Sequence, residues 1–220
     1  MMRTRLMRFF VMVCCAVLLV LPAAATVVWN NGPINSTFGG MDISAVTPRV
    51  FDSFTVSSST KLLGMSFGAV LLPRAVLQNA FLEIWTQAGQ QGTQILSADL
   101  SFFQSNCSTN LAGDAVCLES VSFQGVPNAP TLPVGTLWLT IYNASVSSGP
   151  AGWNINDGVG CTSPGCPSQA VDGAGLSVKS ESFEILGGVG STPAPEPGSI
   201  VLLGTALVGA VNALRRMVRR

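Results

Sequence analysis

Residues 136–145 read TLWLTIYNAS. Leu137, Leu139 and Ile141 fall on one side of a two-residue alternation, and Trp138, Thr140 and Tyr142 fall on the other. Alternation of this kind, carried by β-branched and aromatic residues, marks a strand with one buried face. The same period runs outward along the chain. Residues 61–71, KLLGMSFGAVL, set Leu63, Met65, Phe67, Ala69 and Leu71 against Gly64, Ser66 and Gly68. Residues 80–87, AFLEIWTQ, place Leu82 and Ile84 opposite Phe81, Glu83 and Trp85. Residues 50–57, VFDSFTVS, put Val50, Asp52, Phe54 and Val56 on one face, with Asp52 a charged misfit. QILSADLSFF (94–103) and AVCLESVSFQ (115–124) are further strand candidates.

The segments between these runs are rich in turn formers. They include TVVWNNGPINSTFGG (26–40), AGQQGT (88–93) and a Gly-, Asn- and Pro-rich loop over residues 147–175. VPNAPTLPVG (126–135) reads as an extended connector, because each proline fixes its own φ and removes a donor. In GLSVKSESFEILG (175–187) the apolar phase changes between Leu176/Val178 and Phe183/Ile185, which suits a bulge. LLPRAVLQNAF (71–81) holds at most a turn or two of helix. Many short strands with few helical segments predict an all-β, antiparallel β-sandwich, jelly-roll-like in type.

The two ends differ from this middle. Arg3, Arg5 and Arg8, the apolar run FFVMVCCAVLLVL and the small residues after Pro22 form the three parts of a secretory signal, giving a signal peptide over 1–25. The exported domain is expected over 26–190 and a Pro-rich linker over 191–198. Residues 199–214 form an apolar stretch with no polar face between Ile200 and Val211, and predict a transmembrane helix. Sixteen residues at 1.5 Å rise span roughly 24 Å, short of a core about 30 Å thick unless flanking arginines snorkel. Residues 215–220 form a basic cytoplasmic tail. Residues 26–196 carry all 11 acidic side chains but only Arg49, Lys61, Arg74 and Lys179 as bases, a charge near −7. That balance argues against nucleic acid as a partner.

Cys14 and Cys15 lie in the signal. The remaining four suggest disulfides in an exported chain. Cys107–Cys117 and Cys161–Cys166 are the favoured pairs, each bracketing a short polar loop. The gaps in CSTNLAGDAVC and CTSPGC do not suit the tight hairpins of a thiolate zinc site, so no metal is expected there.

The chain has no histidine, which rules out Ser-His-Asp and Cys-His machinery. Neither a phosphate loop nor a nucleophile elbow is present, so no cofactor is expected. Paired carboxylates for glycoside hydrolysis would come from Glu83, Asp99, Glu119, Asp157, Glu181 and Glu184, yet their spacing selects no pair. NINDG (154–158) reads as an Asx turn rather than a calcium loop, while Asp42 and Asp52 remain possible oxygen ligands. Trp29, Trp85, Trp138, Tyr142 and Trp153 offer flat apolar area with a polar handle. Trp85, Trp138 and Trp153 are the candidate glycan contacts.

PAPEPGSIVLLGTALVGAVNALRR (193–216) resembles the PEP-CTERM sorting signal: Pro195-Glu196-Pro197, then the apolar stretch, then Arg215, Arg216, Arg219 and Arg220. The resemblance implies a protein exported by Gram-negative bacteria that make extracellular polysaccharide. It also implies an exosortase that recognises and processes the tail near Pro195, Glu196 and Pro197. The inner membrane would hold the precursor until then, and the product would sit at the cell surface or outside the cell. VFDSFTVSSSTKLLGMSF (50–67) and TLPVGTLWLTIYNAS (131–145) resemble an opening segment and a strand found in such proteins, with Phe51 where an acidic residue is common. The leading expectation is a non-enzymatic surface or matrix protein associated with exopolysaccharide or biofilm. The alternative is a carbohydrate-binding module, and a carboxylate-dependent glycoside hydrolase comes third.

Overall fold

The computed structural model describes residues 25–35, 39–46, 49–124 and 128–188. They form fourteen strands in two sheets. The six-stranded sheet contains β3 (Val50–Val56), β5 (Leu77–Gln87), β6 (Gln91–Ser101), β10 (Gly135–Val146), β12 (Ala170–Asp172) and β13 (Ser177–Val178). Its order is β13-β12-β3-β10-β5-β6. The eight-stranded sheet contains β1 (Thr26–Asn30), β2 (Gly40–Asp42), β4 (Thr60–Leu71), β7 (Phe103–Thr109), β8 (Ala115–Ser122), β9 (Thr131–Leu132), β11 (Ala151–Asn154) and β14 (Phe183–Gly188). β4 is its spine, pairing with β14, β11, β8 and β9. All the pairings are antiparallel. Among the described residues there is no helix, and none long and apolar enough to cross a membrane.

The alternation in residues 136–145 does what it predicts. Leu137, Leu139 and Ile141 are buried in the core between the sheets. Leu139 lies opposite Ile84 on β5 and Asp52 on β3, so these three share the inner face. From the other sheet, Met65, Phe67, Ala69 and Leu71 point inward as expected. Leu63 does not. The register against β14 jumps from Leu186↔Gly64 to Gly187↔Leu62, so Leu63 is the extra residue of a bulge and Leu62 takes its place in the core. Aromatic edges join the layers. Phe54 of the six-stranded sheet meets Phe183 at 6.3 Å, Phe183 meets Trp153 at 6.0 Å, and Trp153 meets Phe67 at 6.4 Å, all edge-on. Such pairs each add about 0.5–1.5 kcal/mol beyond the area they bury. Face-to-face packing of two antiparallel sheets over one core makes the fold a β-sandwich.

Other expectations change. The segment 71–81 makes no helix; a turn at Pro73–Arg74, with Arg74 at φ 67°, leads straight into β5. The phase change in 175–187 is not a bulge. The chain leaves β13 in one sheet and enters β14 in the other, so the inward side reverses between them. The turn-rich segments 26–40 and 147–175 contain β1, β11 and β12, and β2 starts at the end of the first; all are too short to show a period.

Both expected disulfides are present, Cys107–Cys117 across β7 and β8 and Cys161–Cys166 in the loop after β11. No thiolates remain in either loop for zinc. The signal segment apart from Ala25, the Pro195-Glu196-Pro197 motif, the apolar span 199–214 and the arginines at 215, 216, 219 and 220 lie outside the described residues.

Candidate functional site

β5 and β10 are long, central and mutually paired, and their outward residues form the most distinctive surface of the six-stranded sheet. Trp138 lies directly opposite Trp85, Thr140 opposite Glu83, and Tyr142 opposite Phe81. Because Leu139, Ile84, Ile141 and Leu82 face the core, these six must face away from it. Two aromatic pairs therefore bracket one carboxylate. At about 3.4 Å per residue, the four-residue offset separates the pairs by roughly 14 Å. Register shifts on either side of Trp85 mark an irregular β5–β6 pairing at that residue.

Glu83 organises the surface. Its Oε2 accepts hydrogen bonds from Trp85 Nε1 (2.9 Å), Gln90 Nε2 (3.0 Å) and Arg49 Nη1 (3.1 Å), and its Oε1 accepts one from Tyr142 OH (2.8 Å). Burial alone would raise the Glu83 pKa. The bonds from Gln90, Trp85 and Tyr142, with the Arg49 charge, outweigh burial and hold it below the usual carboxylate value. The Tyr142 phenol is pushed up by burial and by Glu83. Arg49 lies 3.5 Å from the centre of the Tyr142 ring, whose other neighbour is Phe81, stacked at 5.5 Å and 25°. Trp85, Trp138 and Phe81 remain partly exposed, whereas Tyr142 is buried. The result is a set of partly exposed indole and phenyl surfaces, of which Trp85 is tied to Glu83 and Phe81 is stacked on Tyr142. Arg49, Gln90 and Phe81 were not among the residues singled out as glycan contacts, although the alternation in β5 already put Phe81 and Trp85 on one side.

Trp153 does not belong here. It is fully buried in the core, and its Nε1 donates to Ser182 O at 3.1 Å, so no ring face is open to a ligand. Trp29 is likewise 2% exposed.

The six candidate carboxylates scatter. Asp99 accepts a bond from Asn79, Asp157 faces Lys179, and Glu184 accepts a bond from Asn30 on the eight-stranded sheet. Glu119 is buried opposite Phe67, with neither oxygen bonded, and burial pushes it up to about 7. Glu181 is buried beside Asp52, a partner 129 residues away that its spacing did not suggest. Both are 0% exposed, so no glycosidic bond can reach them. Among the described residues no three His, Cys, Asp or Glu side chains gather in one place. A shallow cleft of about 360 Å³ on the eight-stranded sheet is lined by Asn30, Ser66, Ser182 and Glu184 but has no exposed aromatic platform.

No protein-family model matches the chain, and no curated protein matches it.

Proposed function

We propose that the described domain is a non-catalytic glycan-binding β-sandwich, jelly-roll-like in architecture, that attaches an exported protein to extracellular polysaccharide. The observation that carries this reading is the directly paired Trp85 and Trp138, partly exposed on one face beside the Glu83–Arg49–Gln90 cluster. Sugar rings present C–H faces to aromatic planes and hydroxyls to polar groups. Here Trp85, Trp138 and Phe81 supply partly exposed planes and Gln90 an exposed amide, with buried Glu83 holding Trp85 and Gln90 in place. The charge near −7 over residues 26–196 disfavours anionic polymers, so a neutral polysaccharide is the substrate class. Affinity electrophoresis through gels containing neutral or anionic polysaccharides tests the reading. The neutral polymer should retard the protein, and Trp138→Ala, confirmed folded by near-ultraviolet circular dichroism, should bind about 10–30-fold more weakly. Equal retardation of the folded variant would count against the face.

A second proposal rests on the tail. The order Pro195-Glu196-Pro197, apolar span, Arg215–Arg216 and Arg219–Arg220 supports export, transient anchoring in the inner membrane and processing by an exosortase. Sorting delivers the chain and the domain holds it in the matrix, so the two proposals describe successive steps.

A further inference from the structure

The charged misfit on β3 leads to a second place where the fold is chemically unusual. Asp52 points into the protein and is 0% exposed. Glu181, in the crossing between β13 and β14, is also 0% exposed, and its backbone N–H donates to Asp52 Oδ2 at 2.8 Å. Asp52 Oδ1, both Glu181 carboxylate oxygens and the hydroxyls of Ser168 and Ser180 are buried without a hydrogen bond of ordinary geometry, and the Asp52 carboxyl lies against both the Glu181 carboxyl and Ser168. Ser168 is 8% exposed and faces Asp52 without closing a bond of ordinary geometry.

Arg49 pairs with Glu83 and Lys179 with Asp157. What acts on the two carboxyls is burial, which raises both, and the Asp52 charge, which raises Glu181 further; no basic group is among the causes. Two carboxyls buried together without a counter-charge must either share protons or hold a cation, because two bare carboxylates in this setting cost several kcal/mol.

The surroundings are rigid. Asn31 Nδ2 donates to Glu181 O, and Asn31 Oδ1 accepts from Ser168 N at 3.1 Å. Ser53 N and Gln169 O, with Gln169 N and Ser53 Oγ, tie the Ser168 segment to β3 at 2.9 and 2.8 Å. Asn156 and Asp157 donate their backbone N–H groups to Ser180 O. The Cys161–Cys166 disulfide closes the loop that delivers Ser168. A rigidly held set of oxygen donors is what a hard cation needs.

We infer that Asp52, Glu181 and Ser168 form an internal binding site for one calcium ion, which ties β3 to the β13–β14 crossing. Two carboxylates match a divalent charge. The donors are all oxygens, which disfavours zinc and copper. Magnesium retains several waters, and a site sealed from solvent does not supply them, whereas calcium accepts six to eight protein oxygens in irregular geometry. Backbone carbonyls of the converging segments would complete the shell. The site lies on the inner face of β3, opposite the side that carries Ser53 and the aromatic surface, and does not depend on the glycan reading.

The test uses the full chain in detergent, stripped with chelator and dialysed against radioactive calcium chloride at pH 7.5. One bound calcium per chain is expected. The melting temperature should rise by roughly 5–10 °C at a calcium concentration about 100 times the dissociation constant, and magnesium chloride should not substitute. Asp52→Asn and Glu181→Gln should abolish binding. Ser168→Ala, which keeps both carboxyls and so survives if those variants fail to fold, should weaken it about tenfold. No calcium uptake by the wild-type chain would overturn the inference and leave a proton-sharing pair. So would calcium uptake undiminished in Ser168→Ala and Glu181→Gln, which would place the ion elsewhere.

Discussion

Replacing Glu119 by Gln should stabilise the protein at alkaline pH and leave it nearly unchanged at acid pH. Glu119 sits on β8 opposite Phe67, 0% exposed, with no hydrogen bond to either oxygen. Burial raises its pKa from 4.5 to about 7. A carboxyl raised in the folded state favours folding only while it is protonated. Its contribution is therefore intact below about pH 4.5 and is lost as pH rises through about 7. A shift of that size converts to about 3 kcal/mol at 1.36 kcal/mol per unit. Water admitted past the neighbouring edge strand β7 would screen the charge, so the expected penalty above pH 7 is roughly 1–3 kcal/mol. Glutamine keeps the shape and removes the charge. Urea unfolding of wild type and Glu119→Gln should differ by less than about 1 kcal/mol at pH 5 and by roughly 1–3 kcal/mol in favour of the variant at pH 8. Every other ionisable group is common to both proteins and cancels in the comparison. An equal gap at the two pH values would show that Glu119 is not held neutral by burial, and the reasoning would fail.

The disulfides should contribute according to the loops they close. Separations of 10 and 5 residues correspond to about 2.7 kcal/mol for Cys107–Cys117 and about 2 kcal/mol for Cys161–Cys166 by loop entropy. Paired Cys→Ser variants in denaturant titrations should lose these amounts in that order, and a larger loss for the shorter loop would oppose the entropic account. For sorting, Glu196→Ala or deletion of residues 215–220 should leave an unprocessed precursor in cells that contain the exosortase. Intact-mass analysis reads this directly, and a product of wild-type processed length would dismiss the proposal.

The strands were legible where one face is mainly apolar. β3, β4, β5 and β10 could be read because a sustained period of two points to a half-buried strand. Even Asp52 was visible as a misfit, yet its meaning was not, because Glu181 enters through a crossing 129 residues later. The same limit applies to the aromatic surface. Trp85 and Trp138 each sat on a recognisable outward face, but their pairing depends on the register of β5 against β10, which local patterning does not encode. Trp153 was misread because β11 is four residues long, too short to show which side a large ring takes. The Leu62–Leu63 exchange had a similar cause: a bulge reverses the phase, and its origin lies in β14. The cysteine pairings were legible because each closes a local loop.

The glycan-binding claim has a built-in control, because the chain contains four tryptophans, two on the proposed face and two in the core. In a two-dimensional ¹⁵N–¹H spectrum of the protein titrated with a neutral oligosaccharide, each indole N–H gives its own signal. The account predicts that the Trp85 and Trp138 signals move saturably with a common dissociation constant while those of Trp29 and Trp153 stay in place. Saturable binding that shifts neither Trp85 nor Trp138, or no binding to any neutral glycan tested, would contradict it.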